Sequence, residues 1–130
     1  MIRSIIKQWI FINYCGQKIG QFEHTRMKSY MLNIFNAQIG HFLNIIILNF
    51  YLFLGFRSII GFIILLIVDN ILIRKIIKKL IMPNVIINQL EQEYNKTHKW
   101  KRVLNFTYSI ILVIICFLLF VFSFLIQGVF

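Results

Sequence analysis

The stretch IGHFLNIIILNFYLFLGFRSIIGFIILLIVDNILI, residues 39–73, decides how this chain folds. Its only charges are Arg57 and Asp69. As one helix its 35 residues would extend about 52 Å at 1.5 Å per residue. The hydrocarbon core of a bilayer is about 30 Å thick. The stretch is therefore either one over-long, tilted helix or two short helices in a hairpin. A break is expected at Gly55-Phe56-Arg57-Ser58. There a glycine permits an unusual backbone angle and a cation seeks water.

The flanks favour the hairpin. Arg3, Lys7, Lys18, Arg26 and Lys28 precede the stretch, and Arg74, Lys75, Lys78, Lys79, Lys96, Lys99, Lys101 and Arg102 follow it. Two crossings leave both basic groups on the inner face, as the positive-inside rule prefers, with only Arg57 outside. Residues 103–130 carry no charge and are long enough to span once more. The expectation is an all-α integral membrane protein with about three transmembrane helices. These run over about 39–56, 59–73 and 103–125, the first two forming a tight hairpin. Residues 1–38 read as an amphipathic, interfacial N-terminal segment, with Trp9 at headgroup level. Residues 74–102 read as a basic polar connection on the inner face.

Composition supports lipid as the solvent. Hydrophobic residues make up 59% of the 130 positions, against roughly 45–50% in soluble domains. A soluble domain this small cannot bury so much apolar surface. The net charge is +10. Because the bases flank apolar runs, anionic phospholipids are the expected partner and nucleic acid is not. Lys75, Lys78, Lys79, Lys99, Lys101 and Arg102 are the expected headgroup contacts on the inner face. No cleavable signal peptide is expected, since the apolar start lacks a small-residue cleavage site.

Ala37 is the only alanine, although alanine is the best helix former. The abundance of Ile, Phe, Asn and Lys instead suggests A+T pressure on the gene. The composition resembles that of the short, Ile/Phe-rich membrane subunits encoded in mitochondrial genomes. The likeness covers the whole chain, rests on no motif, and carries no functional residues over. It implies the mitochondrial inner membrane in preference to a bacterial plasma membrane.

Polar residues within the apolar runs are the intramembrane candidates. Asp69 suggests a proton relay or an ion site, or else marks the membrane boundary by pairing with Arg74 or Lys75. Arg57 is a headgroup residue if the stretch is a hairpin. His41 and Asn44 share a face of the first span and suit hydrogen bonding between helices. Asn105, Thr107 and Ser109 read the same way. Gly16 and Gly20 have the spacing that lets helices approach, although their polar setting favours a turn. His24, His41 and His98, even with Glu23 and Glu91, do not make metal-ligand spacing. Cys15 and Cys116 form no pair. No catalytic constellation, nucleotide motif or cofactor site is expected. The expected function is a non-catalytic accessory subunit of a larger hetero-oligomeric membrane complex, with an energy-converting (respiratory or ATP synthase) assembly as the leading candidate. The alternative is a small homo-oligomeric channel or transporter component using Asp69 and Arg57.

Overall fold

A computed structural model of the chain describes residues 2–20 and 24–127. Among the described residues five α-helices follow one another: α1 (Ile2–Ile19), α2 (Met27–Phe53), α3 (Ile59–Leu80), α4 (Ile87–Lys96) and α5 (Lys99–Ile126). Short 3-10 turns lie at His24–Arg26 and Met82–Asn84. No strand occurs among the described residues.

The long apolar stretch breaks between Phe53 and Ile59. Gly55 takes a φ of 81°, and its N–H donates to the Leu52 carbonyl at 2.9 Å. This left-handed angle costs glycine little. The Ser58 hydroxyl then caps α3 by accepting from the Gly61 N–H at 3.3 Å. Tyr51 closes the corner, its hydroxyl donating to the Ser58 carbonyl at 3.0 Å. Further along the pair, Gly40 of α2 lies beside Asn70 of α3. With Tyr51 ringed against Phe62 at 5.7 Å, that register makes α2 and α3 antiparallel.

Helix α5 runs parallel to α2. His41 meets Phe117 and Phe120, and nearer the turn Asn49 meets Gln127. The N-terminal ends of α2 and α5 and the C-terminal end of α3 therefore gather at one end of the bundle. The turn carrying Arg57 and the end of α5 gather at the other.

Two of these helices, α2 and α5, are long and apolar enough to cross a membrane. Helix α3 is apolar over its first ten residues and then takes in Asp69, Arg74 and Lys75. It continues past Ile73 to Leu80, so the first bases of the connection stand on helix rather than loop. Pro83, which lacks an N–H, lies in the 3-10 turn just beyond.

The main core lies at the basic end, not along the apolar runs. Ile10 and Tyr14 of α1, Met31 and Phe35 of α2, Ile73 and Ile77 of α3, and Leu90 of α4 are buried together. A smaller cluster around Leu48 and Phe62 sits between α2 and α3 near the turn. Most of α5 is left uncovered: only 6% of its most apolar 18-residue window is buried within the chain.

Candidate functional site

A buried polar network joins three helices just inside the basic end. Asn13 of α1 is fully buried and Gln38 of α2 nearly so. The Gln38 Nε2 donates to Asn13 Oδ1 at 2.8 Å, and the Asn13 Nδ2 returns a bond to Gln38 Oε1 at 3.1 Å. Trp9 Nε1 donates to the same Gln38 oxygen at 2.7 Å. Ser109 of α5 donates from its hydroxyl to Asn13 Oδ1 at 2.9 Å. The Asn13 amide also donates to the Trp9 carbonyl at 3.1 Å. Both oxygens of the amide pair thus accept twice, and the network closes on itself. A closed buried network of this kind fixes one arrangement of helices, because a slip would orphan several polar groups at once.

Beside it, Gly16 lets α1 and α5 come together at Ser109. The polar setting of Gly16 pointed to a turn; it lies instead within α1, as a packing residue. Asn105 reaches the Cys15 sulfur at 3.8 Å. Burial pushes the Cys15 thiol up to about 11, partly opposed by this bond from Asn105. Burial, helped by the charge of Glu91, pushes the Tyr14 hydroxyl up to about 12. These groups are neutral at physiological pH and are poor nucleophiles or bases there.

Asn105 and Ser109 therefore join helices, as their place on an apolar run suggested. Asn13 and Gln38 were not singled out from the sequence, and Trp9 only as a headgroup-level residue, whereas its indole N–H is used on Gln38. The signal was present in α1: Asn13 is three residues after Ile10 and four after Trp9, so it interrupts an otherwise apolar face.

No side-chain hydrogen bond or ion pair joins the intramembrane candidates Arg57, Asp69, His41 and Asn44 to one another among the described residues. Arg57 is exposed in the turn between α2 and α3, beside Asn49 and Gln127. His41 packs its ring against Phe117 at 5.5 Å, and its Nδ1 has no hydrogen-bond partner among the described residues. The buried Asn44 Oδ1 likewise has none. Hydrogen bonding between helices, expected for both, is absent at these atoms; aromatic packing takes up His41 instead.

Asp69 Oδ2 is buried without a donor, and no ion pair to Arg74 or Lys75 forms among the described residues. Helical geometry explains this departure from expectation. The residues three and four positions on from Asp69 are Leu72 and Ile73, whereas Arg74 and Lys75 project from other faces.

Lys75, Lys78, Lys79, Lys99 and Lys101 are exposed around the basic end. Arg102 is committed inside the chain. Its Nε donates to the Thr97 carbonyl at 2.7 Å, its Nη2 to the Asn95 carbonyl at 2.9 Å, and its guanidinium stands 4.4 Å from the Tyr94 ring centre. It thereby closes the C-terminal end of α4. Lys18 and Glu91 pair at 3.0 Å and tie α1 to α4. No group of three or more His, Cys, Asp or Glu residues that could hold a metal ion occurs among the described residues. Glu23, considered with the histidines, lies outside the described residues. No family model matches the chain, and no curated protein and no solved structure is similar to it at a significant level.

Proposed function

We propose that this chain is a non-catalytic accessory subunit of a larger, energy-converting membrane protein complex. The observation that carries the reading is the uneven distribution of its packing. The chain builds a core and a closed polar network at the basic end. Along α3 and α5 it presents bare Ile, Leu and Phe: Ile60, Ile64 and Ile67 on one helix, Ile114, Leu118 and Phe122 on the other, are all exposed. Contiguous apolar surface on this scale needs lipid or other helices as its solvent. In this reading α3 completes a third crossing, with Arg74 and Lys75 reaching the headgroups along their own stems. Helix α1 lies in the interface, held by Asn13 and Gln38.

The test is to recover the tagged full chain from its native membrane in mild detergent. It should run in a native gel as part of an assembly far larger than itself, with a reproducible set of other membrane subunits. A chain that runs only as a monomer or homo-oligomer would sink the reading.

The buried, unpaired Asp69 oxygen favours a second reading, the channel or transporter component. Against it, residues 59–68 between Arg57 and Asp69 offer no polar side chain, and a pore needs a continuous polar path.

A further inference from the structure

At the basic end, a cleft of about 540 Å³ separates the first two turns of α1 from the corner where α3 gives way to α4. Arg3 and Lys7 form one wall, Asn84 and Gln89 stand opposite, and Ile6 and Ile86 make its apolar lining. Among the described residues no carboxylate lines it.

Arg3 and Lys7 make no ion pair among the described residues, where Lys18 and Glu91 form the one pair. They sit at i and i+4 on one face, one turn apart. They also occupy the wrong end of their helix. The N-terminus of a helix is the positive end of its dipole, and α1 has no acid in its first turn. Two cations and a positive helix end thus converge on one cleft without compensation. The Asn84 amide is already used, donating to the Leu80 carbonyl at 3.2 Å. Gln89 makes no hydrogen bond with the described residues and is the free neutral donor.

We propose that this cleft binds the phosphodiester of an anionic lipid headgroup. Arg3 and Lys7 neutralise the phosphate, Gln89 donates to it from across the cleft, and Ile6 and Ile86 receive the glycerol end of the chains. Guanidinium and ammonium groups suit a phosphate oxygen, the first as a planar fork and the second as a point charge. The apolar lining of Ile6, Pro83 and Ile86 selects a lipid over a free phosphate. The proposal rests on the membrane reading of the chain. It places a defined lipid at a seam between α1 and α4 that the exposed lysines of α3 do not make.

The experiment uses the full chain in nanodiscs containing equal parts of phosphatidylglycerol and phosphatidylcholine, followed by native mass spectrometry of retained lipid. The wild type should keep phosphatidylglycerol preferentially, by about tenfold, the equivalent of about 1.4 kcal/mol. Arg3→Gln with Lys7→Gln should remove the preference. Gln89→Glu and Gln92→Glu change the net charge equally, but only Gln89 lines the cleft. Gln89→Glu should therefore abolish retention and Gln92→Glu should leave it. Both positions are exposed on α4, and circular dichroism should show unchanged helicity. Equal effects of the two glutamates would mean diffuse surface charge and would overturn the site. Displacement of the lipid by millimolar inorganic phosphate would overturn the lipid assignment. A chain that enters nanodiscs without any preference overturns this proposal alone; a chain that does not enter them overturns the membrane reading as well.

Discussion

Gly16 and Ser109 touch so closely that a Cβ on Gly16 would stand 2.6 Å from the Ser109 hydroxyl oxygen and 2.8 Å from its Cβ. The second distance is the more telling, since rotating the hydroxyl away does not relieve it. Gly16→Ala must push α1 off α5, and that stretches the bond from Ser109 to Asn13. Overpacking of this kind costs about 1–3 kcal/mol. Thermal unfolding of the detergent-solubilised chain should show a fall in midpoint of several degrees. Gly40→Ala is the comparison. Its Cβ would meet only the Asn70 amide oxygen, at 3.1 Å, a few tenths of an ångström farther than the Ser109 contacts and at the end of a side chain rather than at a Cβ. A loss for Gly40→Ala as large as that for Gly16→Ala would mean that the Ser109 contact is unimportant.

Cys15 gives a pH dependence with a definite sign. Its thiol is raised from 9.0 to about 11 by burial. The folded chain therefore favours the protonated form, and the stabilisation is fully present below about pH 9. It is lost progressively as pH rises towards about 11, where the folded chain also ionises. Tyr14, raised from 10.0 to about 12, extends the loss further into alkali. The unfolding midpoint should therefore fall steadily above about pH 9, and Cys15→Ala should flatten the first part of that fall. At pH 8 a maleimide should leave Cys15 untouched in the native chain and label it in denaturant. Rapid native labelling would show that α1 does not pack as described.

Much of this architecture is written in the hydropathy pattern. The break at residues 54–58 is announced by Gly55 next to a lone cation, and the bare apolar run of α5 by the absence of any charge after Arg102. These are properties of single segments, for which local composition suffices. The junction of Asn13, Gln38 and Ser109 was only half legible. Ser109 stands out on an apolar run, but its partners lie on two other helices, and nothing local says which polar groups will meet. Asp69 failed for a different reason. Nearness in sequence suggested Arg74 or Lys75 as partner, while the helix places Leu72 and Ile73 over it.

The packing of α2 against α3 and α5 makes a topological claim that labelling can check. Because α2 and α5 are parallel, Ser29 near the start of one and Asn95 just before the other belong to the same side of any bilayer they span. Arg57 belongs to the opposite side. With Cys15 and Cys116 replaced by alanine, Ser29→Cys and Asn95→Cys should react with an impermeant reagent from one side of sealed vesicles, and Arg57→Cys from the other. Labelling of Ser29→Cys and Arg57→Cys from the same side would rule out α2 as a span.

Asp69 decides between the two functional readings, and its surroundings set the expected sign. One carboxyl oxygen is buried with no donor among the described residues, beside a face whose next helical neighbours are apolar. A carboxylate held that way is a liability to the fold, because burying charge without a partner is costly. Asp69→Asn removes the charge and keeps the shape. If the chain is an accessory subunit, the substitution should leave assembly intact and leave the thermal midpoint unchanged or raised. Transport by the host complex should also persist. The purified chain in liposomes should give no ion flux, since residues 59–68 of α3 and 110–121 of α5 would enclose a dry constriction. Arg57→Gln should be equally mild, because an exposed cation in a turn contributes little. The opposite pattern is equally specific. Conductance by the isolated chain, abolished by Asp69→Asn while assembly and midpoint stay the same, would mean that the fold tolerates this carboxylate because ions or protons use it.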